Sequence, residues 1–480
     1  MTKKISVRNP RTGETDHIIT AADAGEIADA ARRLRDGQQE WAASPVEARV
    51  AVLRAFKEAV LRRRADIVAL LEADTGRRWA SEIEVDAVAS GIDRACEFAE
   101  DTFAPAPPAA TPDPEVTASA DLVAYPLVAV ISPWNFPFQL ALIDAVPALL
   151  AGSAVLLKPS EMTPRFIPAL RACVEDVPGL SGVLAVVEGD GATGAAMIDV
   201  ADAVCFTGSV GTGRAIAAAA AARFIPAFLE LGGKDPAVVT ASADLGTAAS
   251  AILWGSTINS GHSCMSLERV YVDRRVADAF VETLAAKAGR VRLAYPGIGD
   301  GEIGPIITAA QAGAIRAHLE DAVAKGARVV TGGTVEELGG GAYLRPTVLT
   351  GVDHTMRVMR EETFGPIVPV MAYDGEDEAV ALANDTDFGL SAAVFAGTAE
   401  EALAVAHRLE VGAVSVNDAC LTGMVPAVEK NSFKLSGLGA SRMGPPSVRR
   451  FLRRRALLVR GAAGPRPWYY DGSSSQTEER

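Results

Sequence analysis

A cysteine among small polar residues is the first candidate for chemistry. Asn259-Ser260-Gly261-His262-Ser263-Cys264-Met265 follows a helical run at 244–257. Most free cysteines are buried and inert. The glycine and small side chains around Cys264 would give access to a nucleophilic sulfur, provided the local field favours a thiolate. His262 stands two residues away and does not share a face with Cys264, so it reads as structural. The second candidate is Leu229-Glu230-Leu231-Gly232-Gly233-Lys234, an acid ending an apolar strand before paired glycines. Partial desolvation would raise the pKa of Glu230 and suit it to general-base work. A simple pair with Lys234 is the alternative. The third is Ile131-Ser132-Pro133-Trp134-Asn135-Phe136-Pro137, just after a strand. Two prolines fix the backbone around Asn135, whose amide can donate to an oxyanion. On local chemistry alone, a rigid turn with Asn as a cap is the favoured reading.

Three further turns could hold a ligand. Lys158-Pro159-Ser160-Glu161 could grip a ribose. Phe206-Thr207-Gly208-Ser209-Val210-Gly211-Thr212-Gly213 opens an Ala-rich helix, where backbone N–H groups can approach a phosphate. Its glycine spacing is not the usual dinucleotide fingerprint. Glu361-Glu362-Thr363-Phe364-Gly365-Pro366 sets an acid and an aromatic at a tight turn. Each of these is equally an ordinary turn when taken alone.

The elements that must position these turns are α/β. Residues 21–73 read as helices, with Leu53, Phe56 and Val60 on one face. The Pro-rich stretch 104–114 cannot hold a helix, and a strand is expected at Val116–Tyr125. Apolar runs then alternate with helices: Leu127–Ile131, Ala154–Leu157, Val183–Val187, Ala203–Phe206 and Ala227–Leu231, then Pro236–Val239, Val270–Val272, Val329–Val330, Val368–Ala372, Ala392–Phe395 and Ala413–Val416. Helices are expected at 275–291 and 308–325. Such alternation predicts βαβ units and parallel sheets, split near residue 235. A last strand is expected at Ala456–Val459, and a polar tail follows Asp471. Arg449, Arg450, Arg453, Arg454 and Arg455 are expected on a solvated or interface face.

Taken together and in this order, PWNFP, KPSE, FTGS, LELGGK, G-x-x-C and EETFGP resemble the aldehyde dehydrogenase superfamily. Asn384-Asp385-Thr386, Val416-Asn417 and Lys434-Leu435-Ser436-Gly437 extend the match over about residues 20 to 460. The resemblance implies a Rossmann-like dinucleotide-binding domain (1–105 and 125–235) and a second α/β catalytic domain (236–432). It also implies a small β oligomerisation arm with a C-terminal tail (106–124 and 433–480). Cys264 would be the nucleophile, Asn135 and the Cys264 N–H the oxyanion donors, and Glu230 the base that activates water against a thioester. NAD, with NADP possible, would contact Ile131, Ser132, Pro133, Trp134, Lys158, Ser160, Glu161, Gly191, Gly208, Ser209, Leu231, Gly232, Glu362 and Phe364. This chain departs from the family where His262 replaces a common Gln, and where Asn431-Ser432-Phe433 replaces an aromatic-Gly-Gly.

Glu230 argues for hydrolysis over transfer to coenzyme A, and Glu161 for NAD over NADP, because a carboxylate there repels a 2′-phosphate. Phe136, Gln139, Leu140, Ile143, Ser263 and Met265 are expected along the substrate funnel. A mostly apolar lining suggests a medium-sized aliphatic or aromatic aldehyde. The alternatives are a semialdehyde dehydrogenase, a coenzyme-A-acylating relative, a crystallin-like structural role and a thiol hydrolase. Composition excludes other classes. The 480 residues hold 46 Lys+Arg against 60 Asp+Glu, a formal charge of −14, which argues against nucleic acid or an anionic membrane as partner. Five widely spaced cysteines with no C-x-x-C pair suggest neither a zinc site nor disulfides, and a reducing, cytoplasmic setting. No metal is expected, and a homodimer or homotetramer is.

Overall fold

The apolar runs form strands buried on both faces. Every residue of Leu127–Ile131 and Ala154–Lys158 is buried, as near-continuous Val/Leu/Ile runs require when helices cover a parallel sheet on both sides. The computed structural model describes residues 3–104, 106–461, 464, 466, 468 and 469. The expected tail after Asp471 lies outside the described residues.

Two sheets organise the molecule. In the first, Ala227–Glu230, Ala203–Thr207, Leu127–Ile131, Ala154–Lys158 and Leu184–Val186 run parallel in that spatial order. The short strand Gly437–Leu438 lies antiparallel outside Ala227–Glu230. The order reverses direction between Leu127–Ile131 and Ala203–Thr207. Such a switch point opens a crevice at the carboxyl ends of the two strands, where the Pro-Trp-Asn turn and the Gly208-Ser209 turn begin. In the second sheet the order is Arg328–Thr331, Thr347–Thr350, Ile367–Tyr373, Leu267–Asp273, Asp235–Val239, Ala392–Phe395 and Val414–Val416. All pairs are parallel except the outermost, where Arg328–Thr331 runs antiparallel to Thr347–Thr350.

The sheets meet end to end. Chain leaving the carboxyl end of Ala227–Glu230 enters the amino end of Asp235–Val239 after four residues. The Cys264 loop and the Glu362 turn likewise precede Leu267–Asp273 and Ile367–Tyr373. The candidate site therefore forms where carboxyl ends of one sheet face amino ends of the other. One core packs around the first sheet, and two pack on the second.

Several elements differ from the expectation. A hairpin, Lys3–Arg8 with Thr15–Ala21, and the long helix Arg78–Thr102 are additional. The expected strand at 456–459 extends over Leu452–Arg460 and pairs antiparallel with Val116–Ala124. Within 433–480, Phe433–Lys434 and Gly437–Leu438 pair instead with Phe388–Gly389 and with Ala227–Glu230. Arg450 is not on the solvated face, because its guanidinium turns inward to the buried Asp144. Among the described residues, no helix is long and apolar enough to cross a membrane.

Candidate active site

Glycines bring three loops into contact. Gly261 has φ +76°, and a Cβ there would run into the Gly365 carbonyl and Pro366 N. The Cys264 loop thus presses directly on the Glu361–Pro366 turn. At Gly233 a Cβ would run into the Cys264 carbonyl oxygen, so the turn after Glu230 lies against the cysteine backbone. Gly232 lies under the Glu362 carboxylate, which accepts from Gly233 N at 3.0 Å. Leu231 N donates to Ser436 O at 2.8 Å, tying the late Lys-Leu-Ser-Gly segment to the same turn.

A second network brings Asn135 to the cysteine loop. Its Nδ2 donates to His262 O at 3.1 Å. Asn259 Nδ2 donates to Asn135 O at 2.7 Å and to His262 O at 3.1 Å, while buried Arg77 donates to Asn259 Oδ1. Asn259 and Ser260 both have positive φ, a conformation that persists only where the surroundings hold it. Behind Asn135, buried Glu84 accepts from Phe138 N at 2.8 Å and Gln139 N at 3.0 Å. It caps the start of the helix Pro137–Ala151, and burial pushes its carboxyl up to about 8. His262 is fully buried and wedged between Trp134 and Phe364, with ring centroids at 5.3 and 5.8 Å. Burial holds its pKa well below the ordinary value. It is a neutral spacer in this geometry.

Glu230 is not paired with Lys234. Lys234 is buried against Glu268 at 2.6 Å, and Glu268 accepts from Thr363 N and Phe364 N, each at 2.7 Å, which fixes the Glu362 turn. A longer-range lysine, Lys430, faces Glu230 at 3.5 Å instead, and Ser432 Oγ donates to Glu230 Oε2 at 2.9 Å. Cys264 is half-buried. Enclosure pushes its thiol up to about 12; the Lys430 ammonium opposes this, and the carboxyls of Glu362, Asp235 and Glu230 add to it. Burial raises Glu362 to about 8, with Glu268 adding repulsion. The field at the resting sulfur therefore favours the thiol.

Along the crevice of the first sheet, Lys158 is buried, donating to Gly189 O at 2.9 Å and facing Glu161 at 3.3 Å. Ser132 N donates to Lys158 O at 3.1 Å, and Ile131 ends the strand beside it. Ser209 caps the helix Val210–Ala222, accepting from Thr212 N, and no acid stands in that first turn. Gly191 starts the helix Gly191–Val200 with open space beside it.

The family comparison agrees with this geometry. Residues 1–457 match the model described as "Aldehyde dehydrogenase family". The chain belongs to the aldehyde dehydrogenase family. It is similar to a solved structure provisionally named aldehyde dehydrogenase PutA from Anabaena variabilis, with 52% identity and a TM-score of 0.96, covering 98% of this chain and 100% of that one. It is 35% identical over 435 residues (90% of this chain, 83% of the relative) to a Mycolicibacterium smegmatis protein provisionally named succinate-semialdehyde dehydrogenase [NADP(+)]. It is 41% identical over 332 residues (68% of this chain, 61% of the relative) to 4,4'-diapolycopene aldehyde oxidase of a Methylomonas species. The protein is an NAD(P)-dependent aldehyde dehydrogenase with the α/β fold of that family.

The crevice of this aldehyde dehydrogenase fits a dinucleotide. Ser132 Oγ is buried without a partner, and the acid-free start of Val210–Ala222 suits a pyrophosphate. A cavity of about 530 Å³ lies between the helices Arg78–Thr102 and Pro137–Ala151, lined by Ile83, Ile92, Phe98, Gln139, Ile143 and Met424 among others, with Asp86, Arg94 and Arg442 as its charged members. It reaches the cysteine loop through Gly423, whose neighbour Thr422 Oγ1 contacts Met265 Sδ at 3.2 Å. Of the residues expected along the funnel, Gln139 and Ile143 line this cavity; Phe136, Leu140, Ser263 and Met265 do not. Sequence reasoning missed Lys430, Arg77, Glu84, Glu268 and the buried Asp144. Asp144 alone carried a signal, as an acid inside an apolar helix.

Proposed function

We propose that the protein oxidises apolar aldehydes to carboxylic acids with NAD+, through a thioester on Cys264 that a water activated by Glu230 hydrolyses. The observation that carries this reading is the convergence of the Asn135 turn, the Glu230–Lys234 turn and the Glu362 turn on the Cys264 loop. Because the resting sulfur is a thiol, attack on the carbonyl must be coupled to proton removal, and we read Glu230 as the acceptor. The thiohemiacetal oxygen would be stabilised by Asn135 Nδ2 and the Cys264 N–H, each such donor contributing about 3 kcal/mol. A bound nicotinamide dinucleotide supplies the hydride acceptor. Ile131, Ser132, Pro133, Trp134, Leu231 and Gly232 would line its path. Lys158, Ser160, Glu161 and Gly191 would hold its adenosine end, and Gly208 and Ser209 the pyrophosphate. Glu362 and Phe364 would hold the nicotinamide end. Once the first proton, taken from sulfur, has passed to solvent, the Glu230 carboxylate takes a proton from water as the water attacks the thioester carbonyl and returns it to the departing sulfur, releasing acid and thiol.

The lining supports an apolar substrate tail. Of the two arginines in the lining, Arg442 is paired with Asp144 at 2.7 Å, whereas Arg94 has no ion-pair partner among the described residues and is the cation a second carboxylate would meet. The relative named for a diapolycopene aldehyde agrees with the apolar tail, and the one named for succinate semialdehyde, together with Arg94, supports the alternative. Glu161, already beside Lys158, favours NAD over NADP. An aldehyde panel with each dinucleotide tests both points. Hexanal and benzaldehyde should exceed succinate semialdehyde in kcat/KM with NAD, and Cys264→Ala should abolish turnover. A reversed preference would overturn the substrate reading.

The strand Leu452–Arg460 exposes Leu458 and Val459 at the edge of a three-stranded sheet. We read it as an edge that pairs with another subunit; a monomeric mass by light scattering at micromolar concentration would refute this. Five free cysteines suit a reducing compartment.

A further inference from the structure

The loop that reaches Glu230 from the late part of the chain carries a cation outside every motif described above. The Lys430 side chain is almost enclosed, 8% exposed, which is uncommon for lysine unless it is paired. Its Nζ stands 3.5 Å from Glu230 Oε2 and donates to Ser432 Oγ at 3.3 Å. The same hydroxyl donates to Glu230 Oε2 at 2.9 Å. Ammonium, hydroxyl and carboxylate therefore form one hydrogen-bonded chain. Its backbone is anchored: Lys430 N donates to Ser441 Oγ at 3.3 Å, and Phe433–Lys434 pairs with Phe388–Gly389.

Charges around Cys264 give this cation a task. Asp235 Oδ1 and the Cys264 carbonyl oxygen both crowd Gly233, whose N donates to Glu362 at 3.0 Å, and Cys420 Sγ donates to Met265 O at 3.3 Å. The acids Glu362 and Asp235 and a second thiol therefore stand beside the Cys264 loop, with Glu230 adding to the negative field. The opposing field comes from Lys430, which also acts on Asp235. Losing a proton from sulfur places another negative charge among these acids, and Coulomb repulsion in a partly desolvated site is strong.

We propose that Lys430 is a positioning residue shared by both halves of the reaction: its ammonium offsets the negative charge that develops on Cys264, and through Ser432 it fixes the orientation of the Glu230 carboxylate. This rests on the reading of Cys264 as nucleophile and Glu230 as base.

The test is the pH dependence of iodoacetamide alkylation at Cys264 in the dinucleotide-free enzyme, followed by peptide mass spectrometry. The wild type is compared with Lys430→Met, Lys430→Gln, Lys430→Arg, Ser432→Ala and Cys264→Ala. In the two neutral variants the alkylation midpoint should rise by about one pH unit, roughly tenfold slower labelling below the midpoint. Lys430→Arg should restore most of it. Ser432→Ala should leave the midpoint in place and slow thioester hydrolysis in single turnover. A midpoint unchanged in folded Lys430→Met or Lys430→Gln would overturn the proposal, as would equal shifts in Lys430→Arg. If Cys264→Ala retained turnover, the underlying reading would fail instead, whatever the lysine variants did.

Discussion

Two buried charge clusters lie on either side of Glu230 and are built in opposite ways. In one, Asp144 sits in the helix Pro137–Ala151 between Arg442, at 2.7 Å, and Arg450. Arg442 also donates to Thr207 Oγ1, at the end of the strand beside Glu230. Burial alone would raise the Asp144 pKa, but the two guanidiniums hold it below the ordinary value. In the other, acids outnumber cations: Cys264 is pushed up to about 12, Glu362 to about 8 and Asp235 to about 7, in each case first by burial. The cation-rich cluster ties the carboxyl-terminal segment to the first sheet. The acid-rich one is held together mainly by backbone contact at glycines, and its side chains stay available for proton transfer.

The largest effect should come from breaking the balanced cluster. Asp144→Asn leaves two buried guanidiniums without a counter-charge, and removing one partner of a buried ion pair typically costs about 3–5 kcal/mol. Urea unfolding should show that loss, while the Cys264 alkylation midpoint stays where it is. A loss under about 1 kcal/mol would mean that the arginines find solvent and that the cluster is not a structural lock.

The acid-rich region should instead break at its backbone. In Gly261→Ala the new methyl meets the Gly365 carbonyl and the residue must hold φ +76°. Overpacking of this kind costs roughly 1–3 kcal/mol. Because the collision separates the Cys264 loop from the Glu362 turn, turnover should fall further than stability. Equal, small losses in both would show that the loops do not depend on that contact.

Much of this contrast could be read from the residues, and the part that could not has a physical reason. Strands such as Ala154–Lys158 were legible because burial on both faces demands an unbroken apolar run. The parallel αβ pattern therefore emerged, and so did the turns that carry Asn135, Glu230, Cys264 and Glu362. The edge strand Arg328–Thr331, largely exposed, gave only a two-residue signal and no hint of its antiparallel direction. Partners far apart in sequence stayed hidden. Glu230 finds Lys430 two hundred positions later, whereas local reasoning offered Lys234. Arg450 looked like one of a solvated run because nothing in its neighbours reveals that it reaches Asp144.

The clusters should also titrate in opposite directions. Glu84, Glu362 and Asp235 keep their protons more tightly folded than unfolded. Their contribution is neutral below the ordinary carboxyl range and grows steadily unfavourable from there up to about 7 to 8, because only the unfolded chain ionises in that interval. Asp144 behaves conversely: its stabilisation is present above its ordinary value and is lost as pH falls below it. Urea midpoints from pH 5 to 8 should therefore decline. Glu84→Gln, which keeps an acceptor for Phe138 N and Gln139 N, should flatten the slope by about 1 kcal/mol per pH unit. An unchanged slope would place the Glu84 carboxyl in its ordinary range.

The smallest effect concerns the residue nearest the sulfur that looked most able to titrate. His262 is fully buried, its Nδ1 is 3.1 Å from Asn259 O, and its Nε2 has no partner. Protonation would bring a charge beside Arg77, which already helps to hold the imidazole neutral. Its contribution is then the edge-on packing with Trp134 and Phe364, and such aromatic pairs are worth about 0.5–1.5 kcal/mol. His262→Gln should cost that much in urea unfolding and leave the alkylation midpoint of Cys264 unmoved. A shifted midpoint would make the imidazole part of the acid-rich cluster's proton chemistry, and Lys430 would no longer be sufficient to explain the field at the sulfur.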